Sequence, residues 1–303
     1  MIKFPPPLKK GDTIGIVCPA GYMAKEKAQS CIETLINWGY KVIVGNLLAS
    51  SSENYFSGSD KQRLQELQGM LDNDSIKAIL CARGGYGISR IVDDLDLKAF
   101  KKHPKWIIGF SDITLLHAHI YSICKVGGIH APMAAAFNGG AADSEYILSL
   151  KKMLSGKKNK YSCATNSLNI LGNASGELVG GNLSLLVHGI GSSSDLKTLN
   201  KILFVEDTGE YIYAIDRMFY QLKRAGKLSG LSGIIIGGFT EIKDTERPFG
   251  KTVYEAIKDV LSDVKYPVCF GFPVSHGPEN YALKIGANYQ LVVGKKTVTL
   301  GEQ

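Results

Sequence analysis

From Asp12 to about Met133, short apolar runs alternate with stretches whose apolar residues recur every three to four positions. The runs "TIGIVCPA", "YKVIVG", "KAILCARG", "WIIGFS" and "GGIHAPM" are brief, rich in Val and Ile, and bounded by Gly or charged residues. That pattern predicts buried strands. Between the first two, Ala28, Cys31, Ile32, Leu35 and Ile36 fall at helical spacing, and Gly39 marks a C-terminal stop. Strand and helix in alternation predict a mostly parallel sheet with helices on both faces.

The pattern breaks down near "SGKKNKYSCATNSLN", rich in Lys, Ser and Asn and weak in apolar periodicity. A domain connection is expected there, over residues 146–170, joining an N-terminal domain of residues 1–145 to a C-terminal domain of residues 171–303. Beyond it come "GELVGGNLSLLVHGIG", "KILFVEDTGE", a helix carrying Ile212, Ile215, Phe219 and Leu222 on one face, "SGIIIGGF", a second helix near Val253 to Leu261, and "PVCFGFPVSHG". "YQLVVGKKTVTL" reads as a hairpin turning at Gly294 and Lys295. A second α+β domain accounts for this half.

Composition narrows the class. With 303 residues and an apolar fraction of 45%, the chain can bury a large core. Its net charge of +7 comes from 35 Lys and Arg against 28 Asp and Glu, the basic residues scattered in ones and twos rather than massed, which argues for anionic small molecules and against nucleic acid. The six cysteines lie mostly in apolar runs and never in C-x-x-C spacing, so they read as buried hydrophobes in a reducing compartment rather than as disulfides or metal ligands. "MIKFPPPLKKGD" lacks the apolar h-region of a signal peptide, and no window approaches the ~18 apolar residues of a membrane span. The expected location is cytoplasmic.

Candidate chemistry begins with "KWIIGFSDITLLHAHIY". Ser111 ends a buried run, with Gly109 two positions before it and Asp112 directly after. A serine on a sharp strand-to-helix turn holds its hydroxyl at the carboxyl edge of the sheet, and the N–H of the next residue can stabilise an oxyanion. The second glycine of a G-x-S-x-G elbow is missing, and a Ser-Asp pair is also what an ordinary helix N-cap shows. A serine nucleophile needs a base. His117 and His119 are two apart on one helix and point in different directions; His103 lies in a charged loop; His130 and His188 read as core histidines. His276 ends a buried run in the loop "SHGPEN", where it reads either as a base or as an exposed loop residue. The strand "KILFVEDTGE" presents Glu206 and Asp207 on opposite faces, and alternation does not say which would orient a histidine. In "CARGGYG", the adjacent Gly84 and Gly85 can turn backbone N–H groups toward an anion, with Arg83 adding charge; a phosphate loop would look similar.

Six segments in order, "KKGDTIGIVCPAG", "YFSGSDKQRLQELQGML" with "AILCARGGYG", "WIIGFSDITLLH", "GGNLSLL", "ILFVEDTGEYIYAIDRMFYQL" and "SHGPENYALKIG", span nearly the whole chain and resemble the serine LD-carboxypeptidases. These muramoyltetrapeptide carboxypeptidases form a family that includes the microcin C immunity peptidases. The resemblance implies an α/β fold: an N-terminal flavodoxin-like domain akin to class I glutamine amidotransferases, with a parallel sheet, and a C-terminal swivelling β/β/α-type domain. It implies Ser111 as nucleophile, Glu206 rather than Asp207 as the acid, His276 as the base, and an oxyanion hole from the N–H groups of Asp112 and Gly85. It further implies removal of the terminal D-alanine from murein tetrapeptides in cytoplasmic peptidoglycan recycling, by a homodimer that needs no metal or organic cofactor.

Contacts to the substrate are less marked. Arg83 and Arg217 are candidates for the terminal carboxylate, because a guanidinium can clamp it with two hydrogen bonds. Gly84, Asn182 and Glu210 are further candidates for the peptide stem, Glu210 toward the amine of its diamino acid; turn chemistry and helix N-terminal charge are the structural alternatives for Asn182 and Glu210. Two other functions fit the same residues: an aminoacyl-nucleotide peptidase of the self-immunity type, and a non-catalytic muropeptide-binding module. The first would want an exposed aromatic for a nucleobase, whereas Trp38 and Trp106 both fall in predicted helix or strand.

Overall fold

Strand β1 (Thr13–Val17) is buried at every position, as expected of a strand covered on both faces. The computed structural model describes residues 1–50 and 53–303. After β1 come α1 (Glu26–Asn37), β2 (Lys41–Val44), α2 (Asp60–Asp72), β3 (Ile76–Cys81), α3 (Lys98–Lys102), β4 (Trp106–Gly109), α4 (Ile113–Cys124), β5 (Gly128–His130) and α5 (Glu145–Leu154). There follow β6 (Lys160–Ala164), β7 (Gly172–Asn182), α6 (Leu183–His188), β8 (Lys201–Thr208), α7 (Ile212–Arg224), β9 (Gly233–Thr240), α8 (Val253–Val260), β10 (Val268–Phe270), β11 (Leu283–Ile285), β12 (Asn288–Val293) and β13 (Thr297–Glu302). The chain divides into two units: residues 1–157 with 191–194 and 281–285, and the remainder.

In the first unit the strand order is β11-β5-β4-β3-β1-β2. Strands β2, β1, β3, β4 and β5 run parallel in the flavodoxin order, and β11 adds antiparallel to β5. Ile14, Ile16, Ala78, Leu80, Ile108 and Ile129 project from alternate strand positions into one core with Ala28, Cys31 and Leu35 of α1 and Leu150 of α5. The opposite face packs on α2 and α4, since a side chain at Gly15 would meet Met70 Sδ and one at Gly128 would meet the His117 ring. A capping box fixes the start of α2: the Ser59 hydroxyl accepts from Gln62 N, and the Gln62 side chain accepts from Ser59 N.

In the second unit the order is β10-β9-β8-β7-β12-β13-β6, parallel from β10 to β7 and antiparallel from β7 to β6. The expected hairpin is formed by β12 and β13. Ile170 and Val268 exchange two backbone hydrogen bonds, so the segment after edge strand β6 reaches the opposite edge strand β10.

Three expectations need correction. Residues 146–170, read as a connection, contain most of α5 and all of β6. The polar composition concealed an edge strand whose exposed Lys160, Ser162 and Ala164 alternate with the buried Tyr161. β2 is an edge strand with Ile43 and Val44 exposed, although its apolar sequence reads as buried. His188, expected in the core, is exposed at the end of α6.

Candidate active site

In the first unit, Ser111 occupies the turn between β4 and α4 with φ +62, a left-handed backbone that non-glycine residues adopt only at a cost of about 1–3 kcal/mol. The N–H groups of Ile113, Thr114 and Leu115 bond back to the carbonyls of Phe110, Ser111 and Asp112, closing the turn. Neither Ser111 nor Asp112 caps the helix with its side chain. The buried Asp112 carboxylate instead accepts from Ile88 N at 2.9 Å, and burial pushes its pKa up to about 6.

That hydrogen bond ties the serine turn to the loop after β3. Gly84 lies so close that a Cβ there would sit 3.0 Å from Ser111 Cβ and 3.2 Å from both Ser111 Oγ and Asp112 N, so any side chain at this position would press on the serine turn. Gly85 follows with φ +89. Arg83 is exposed and donates through Nη1 to the Tyr22 carbonyl, so part of its guanidinium is already committed to the backbone.

In the second unit, Glu206 on β8 is fully buried, and His276 Nδ1 lies 2.6 Å from its Oε2. Burial works against the charged imidazole, but the hydrogen bond and charge of Glu206 outweigh it and raise the His276 pKa above the ordinary value. The loop carrying His276 is shaped by Ser275, whose hydroxyl donates to Glu279 O and accepts from Gly277 N. It approaches Glu206 across Gly237 of β9, where a Cβ would fall 2.3 Å from Val274 O and 3.2 Å from Glu206 Cβ.

Asp207 faces the other way, as strand alternation requires. It accepts from Asn182 Nδ2, Ser184 N, Ser184 Oγ and its neighbour Thr208 N. Asn182 is the N-cap of α6, accepting from Leu185 N, and is almost wholly buried. Its side chain therefore has the turn role the sequence offered as the structural alternative, with Oδ1 on Leu185 N and Nδ2 on Asp207. Glu210 is half-buried, and burial, then Asp207, raises its pKa against the opposing charges of Lys243 and Arg217. Arg217 is exposed on α7 with its guanidinium 5.6 Å from the centre of the Tyr213 ring.

Two of the other histidines are held by neighbours of their own. His117 Nε2 contacts Ile107 O at 3.1 Å, with burial pushing its pKa down to about 4, and His119 Nδ1 lies 3.0 Å from Ser194 Oγ. Arg63 was not anticipated from the sequence. It is fully buried on the same helical stripe as Leu67, Met70 and Leu71, and a cation on an apolar stripe is the signal that could have marked it. Among the described residues no cluster of His, Cys, Asp and Glu could hold a metal ion, and no helix is long and apolar enough to cross a membrane.

Comparison with known proteins places the chain in a family. A probable murein peptide carboxypeptidase of Bacillus subtilis is 35% identical over 301 residues, covering 98% of this chain and 93% of the relative. The microcin C7 self-immunity protein MccF of Escherichia coli is 30% identical over 333 residues, covering 98% and 95%. The crystal structure of a muramoyltetrapeptide carboxypeptidase from Oxalobacter formigenes superposes with a TM-score of 0.86 at 25% identity, covering 96% of this chain and 98% of that one. Residues 14–131 match the LD-carboxypeptidase N-terminal domain and residues 175–291 the LD-carboxypeptidase C-terminal domain, and the chain belongs to this family of peptidases.

Proposed function

We propose that the protein is a serine LD-carboxypeptidase that removes the terminal D-alanine from murein tetrapeptides, with Ser111 as nucleophile, His276 as base and Glu206 as the acid that orients it. The contact between the half-buried His276 and the fully buried Glu206 carries the reading. With Nδ1 directed at the carboxylate, the proton-accepting atom of the imidazole is Nε2, and the carboxylate stabilises the imidazolium that forms. Ser111 Oγ attacks the scissile carbonyl while His276 takes its proton. The oxyanion receives the N–H groups of Asp112 and Gly85. The C–N bond then breaks, His276 returns the proton to the departing amine, and water activated by the same imidazole hydrolyses the acyl-enzyme. Arg83 and Arg217 are the candidates for the terminal carboxylate, and Glu210 for the amine of the stem's diamino acid. Gly84 lines the site as backbone. Cytoplasmic murein recycling by a homodimer belongs to the same proposal and rests on the family resemblance.

A second reading, hydrolysis of an aminoacyl-nucleotide, is favoured by the likeness to the self-immunity protein and by Tyr211 and Tyr213, both exposed and stacked at 5.4 Å. The two tryptophans do not serve it: Trp106 is buried and Trp38 packs on the core.

The test is mass-spectrometric detection of D-alanine released from a muramoyl tetrapeptide by the wild type and by Ser111→Ala, with and without EDTA. Loss of one alanine by the wild type alone, unaffected by EDTA, is the expected result. Release by both proteins would remove Ser111 from the reaction. Turnover of an aminoacyl sulfamoyl adenosine in preference to the peptide would favour the second reading.

A further inference from the structure

Arg63 is among the largest fully buried side chains of the described residues, and its guanidinium reaches three loops at the carboxyl edge of the first sheet. Nη1 donates to Pro19 O, after β1, at 2.6 Å and to Gly87 O, after β3, at 3.1 Å. Nε donates to Gly58 O, ahead of α2, at 3.3 Å, and Nη2 pairs with Asp60. Asp60 is held in turn by Arg90 through Nε at 2.9 Å and Nη2 at 2.6 Å. The Phe56 ring lies 4.8 Å from the guanidinium carbon of Arg63 and 5.5 Å from that of Arg90. A buried cation is tolerated only when its donors are matched, and the planar fork of arginine can meet several carbonyls at fixed angles where an ammonium cannot.

These contacts converge on the turn that faces Ser111. Gly87, whose carbonyl Arg63 holds, is two residues from Gly85, and the next N–H, that of Ile88, is held from the other side by the Asp112 carboxylate. A side chain at Gly87 would collide with Arg63 Nη1 at 2.7 Å, so the turn and the guanidinium are fitted to each other. We propose that Arg63, fixed by Asp60, is a positioning residue that sets the height of the residue 83–88 turn against Ser111 and so aligns the Gly85 N–H with that of Asp112 for the oxyanion. This rests on the reading of Ser111 as nucleophile and Gly85 as an oxyanion donor. A displacement of about 1 Å at such a donor is enough to cost about 100-fold in rate.

The test compares wild type, Arg63→Lys, Arg63→Ala and Asp60→Asn in two measurements. In steady-state turnover of a muramoyl tetrapeptide, Arg63→Lys and Arg63→Ala are expected to lose about 100-fold in kcat with KM within about threefold, and guanidinium ion is expected to restore part of the loss to Arg63→Ala but none to Ser111→Ala. In amide hydrogen exchange, peptides covering residues 83–90 are expected to exchange faster in the variants while those from β8 and β9 keep wild-type rates. Unchanged kcat, or a loss that falls on KM, would overturn the proposal, as would unaltered exchange in residues 83–90 or a uniform rise along the chain. If both Arg63 variants fail to fold, Asp60→Asn decides, with about a tenfold loss in kcat expected and wild-type kcat overturning. If wild type proves inactive on the peptide, or Ser111→Ala retains turnover, the nucleophile reading fails, and the exchange arm still decides whether Arg63 holds the turn.

Discussion

His276 Nδ1 lies 2.6 Å from Glu206 Oε2, a carboxylate at a strand position that solvent does not reach. This raises the His276 pKa, and the sign of the consequence is fixed. As pH falls through the raised value the base becomes protonated and the rate falls, so the acid limb of kcat/KM is expected above the ordinary imidazole value of about 6.5. In Glu206→Gln the limb should move down, because burial is then less opposed, and kcat should drop on the order of 10³–10⁴-fold. A pH–rate profile of the two proteins checks this, and a limb that stays in place would remove Glu206 from its role.

Asp207 supports the fold where Glu206 is assigned to the reaction. Removing its carboxylate strands donors of the buried Asn182 and the half-buried Ser184, so Asp207→Ala should destabilise the protein by about 2–4 kcal/mol in urea unfolding. The milder Asp207→Asn should keep kcat within about tenfold of wild type. Loss of turnover in Asp207→Asn comparable to that in Glu206→Gln would contradict the division of labour.

Asp112 gives the folded protein an acid-favouring increment. Its pKa is raised from 3.8 to about 6, so between those values the native state holds more protons than the unfolded chain, and stability falls as pH rises. The expected slope is on the order of 1 kcal/mol per pH unit from about pH 4 to pH 6. Asp112→Asn keeps an acceptor for Ile88 N and should flatten it, as denaturant titrations at stepped pH would reveal.

Gly237→Ala would place a methyl group against Val274 O and Glu206 Cβ. The His276 loop must then move away from β9, with an expected stability cost of about 1–3 kcal/mol. Turnover should fall by a larger factor than melting temperature suggests, since the loop carries the proposed base. Wild-type kcat in this variant would show that the loop tolerates the shift.

Much of the first sheet was legible because covered parallel strands are written as short uninterrupted apolar runs, and β1, β3 and β4 are such runs. β2 misleads because an edge strand can carry the same letters and remain exposed. The setting of Ser111 was partly legible, through Gly109 and the abrupt end of β4, whereas its positive φ is not encoded in any local preference of serine. The Glu206–His276 contact spans 70 positions, and spacing has no access to it; strand alternation left Glu206 and Asp207 equivalent because both faces of β8 are buried. Arg63 escaped because a charge in a polar-looking helix reads as solvated, and β11 because three residues inside a Gly- and Asn-rich stretch carry no periodicity.

The strand β11 has a consequence for how the protein is made. It completes the edge of the first sheet, yet it lies at residues 283–285, after nearly all of the second unit. A nascent chain emerging from the ribosome therefore carries β5 with one open edge until all but the final two strands have been translated. That edge joins β5 to a partner more than 150 residues away, a pairing whose loop closure slows the last step of assembly. A fragment cut after α5 would present the bare edge permanently and should self-associate through it, so the amino-terminal half reaches its finished sheet only as part of the longer polypeptide.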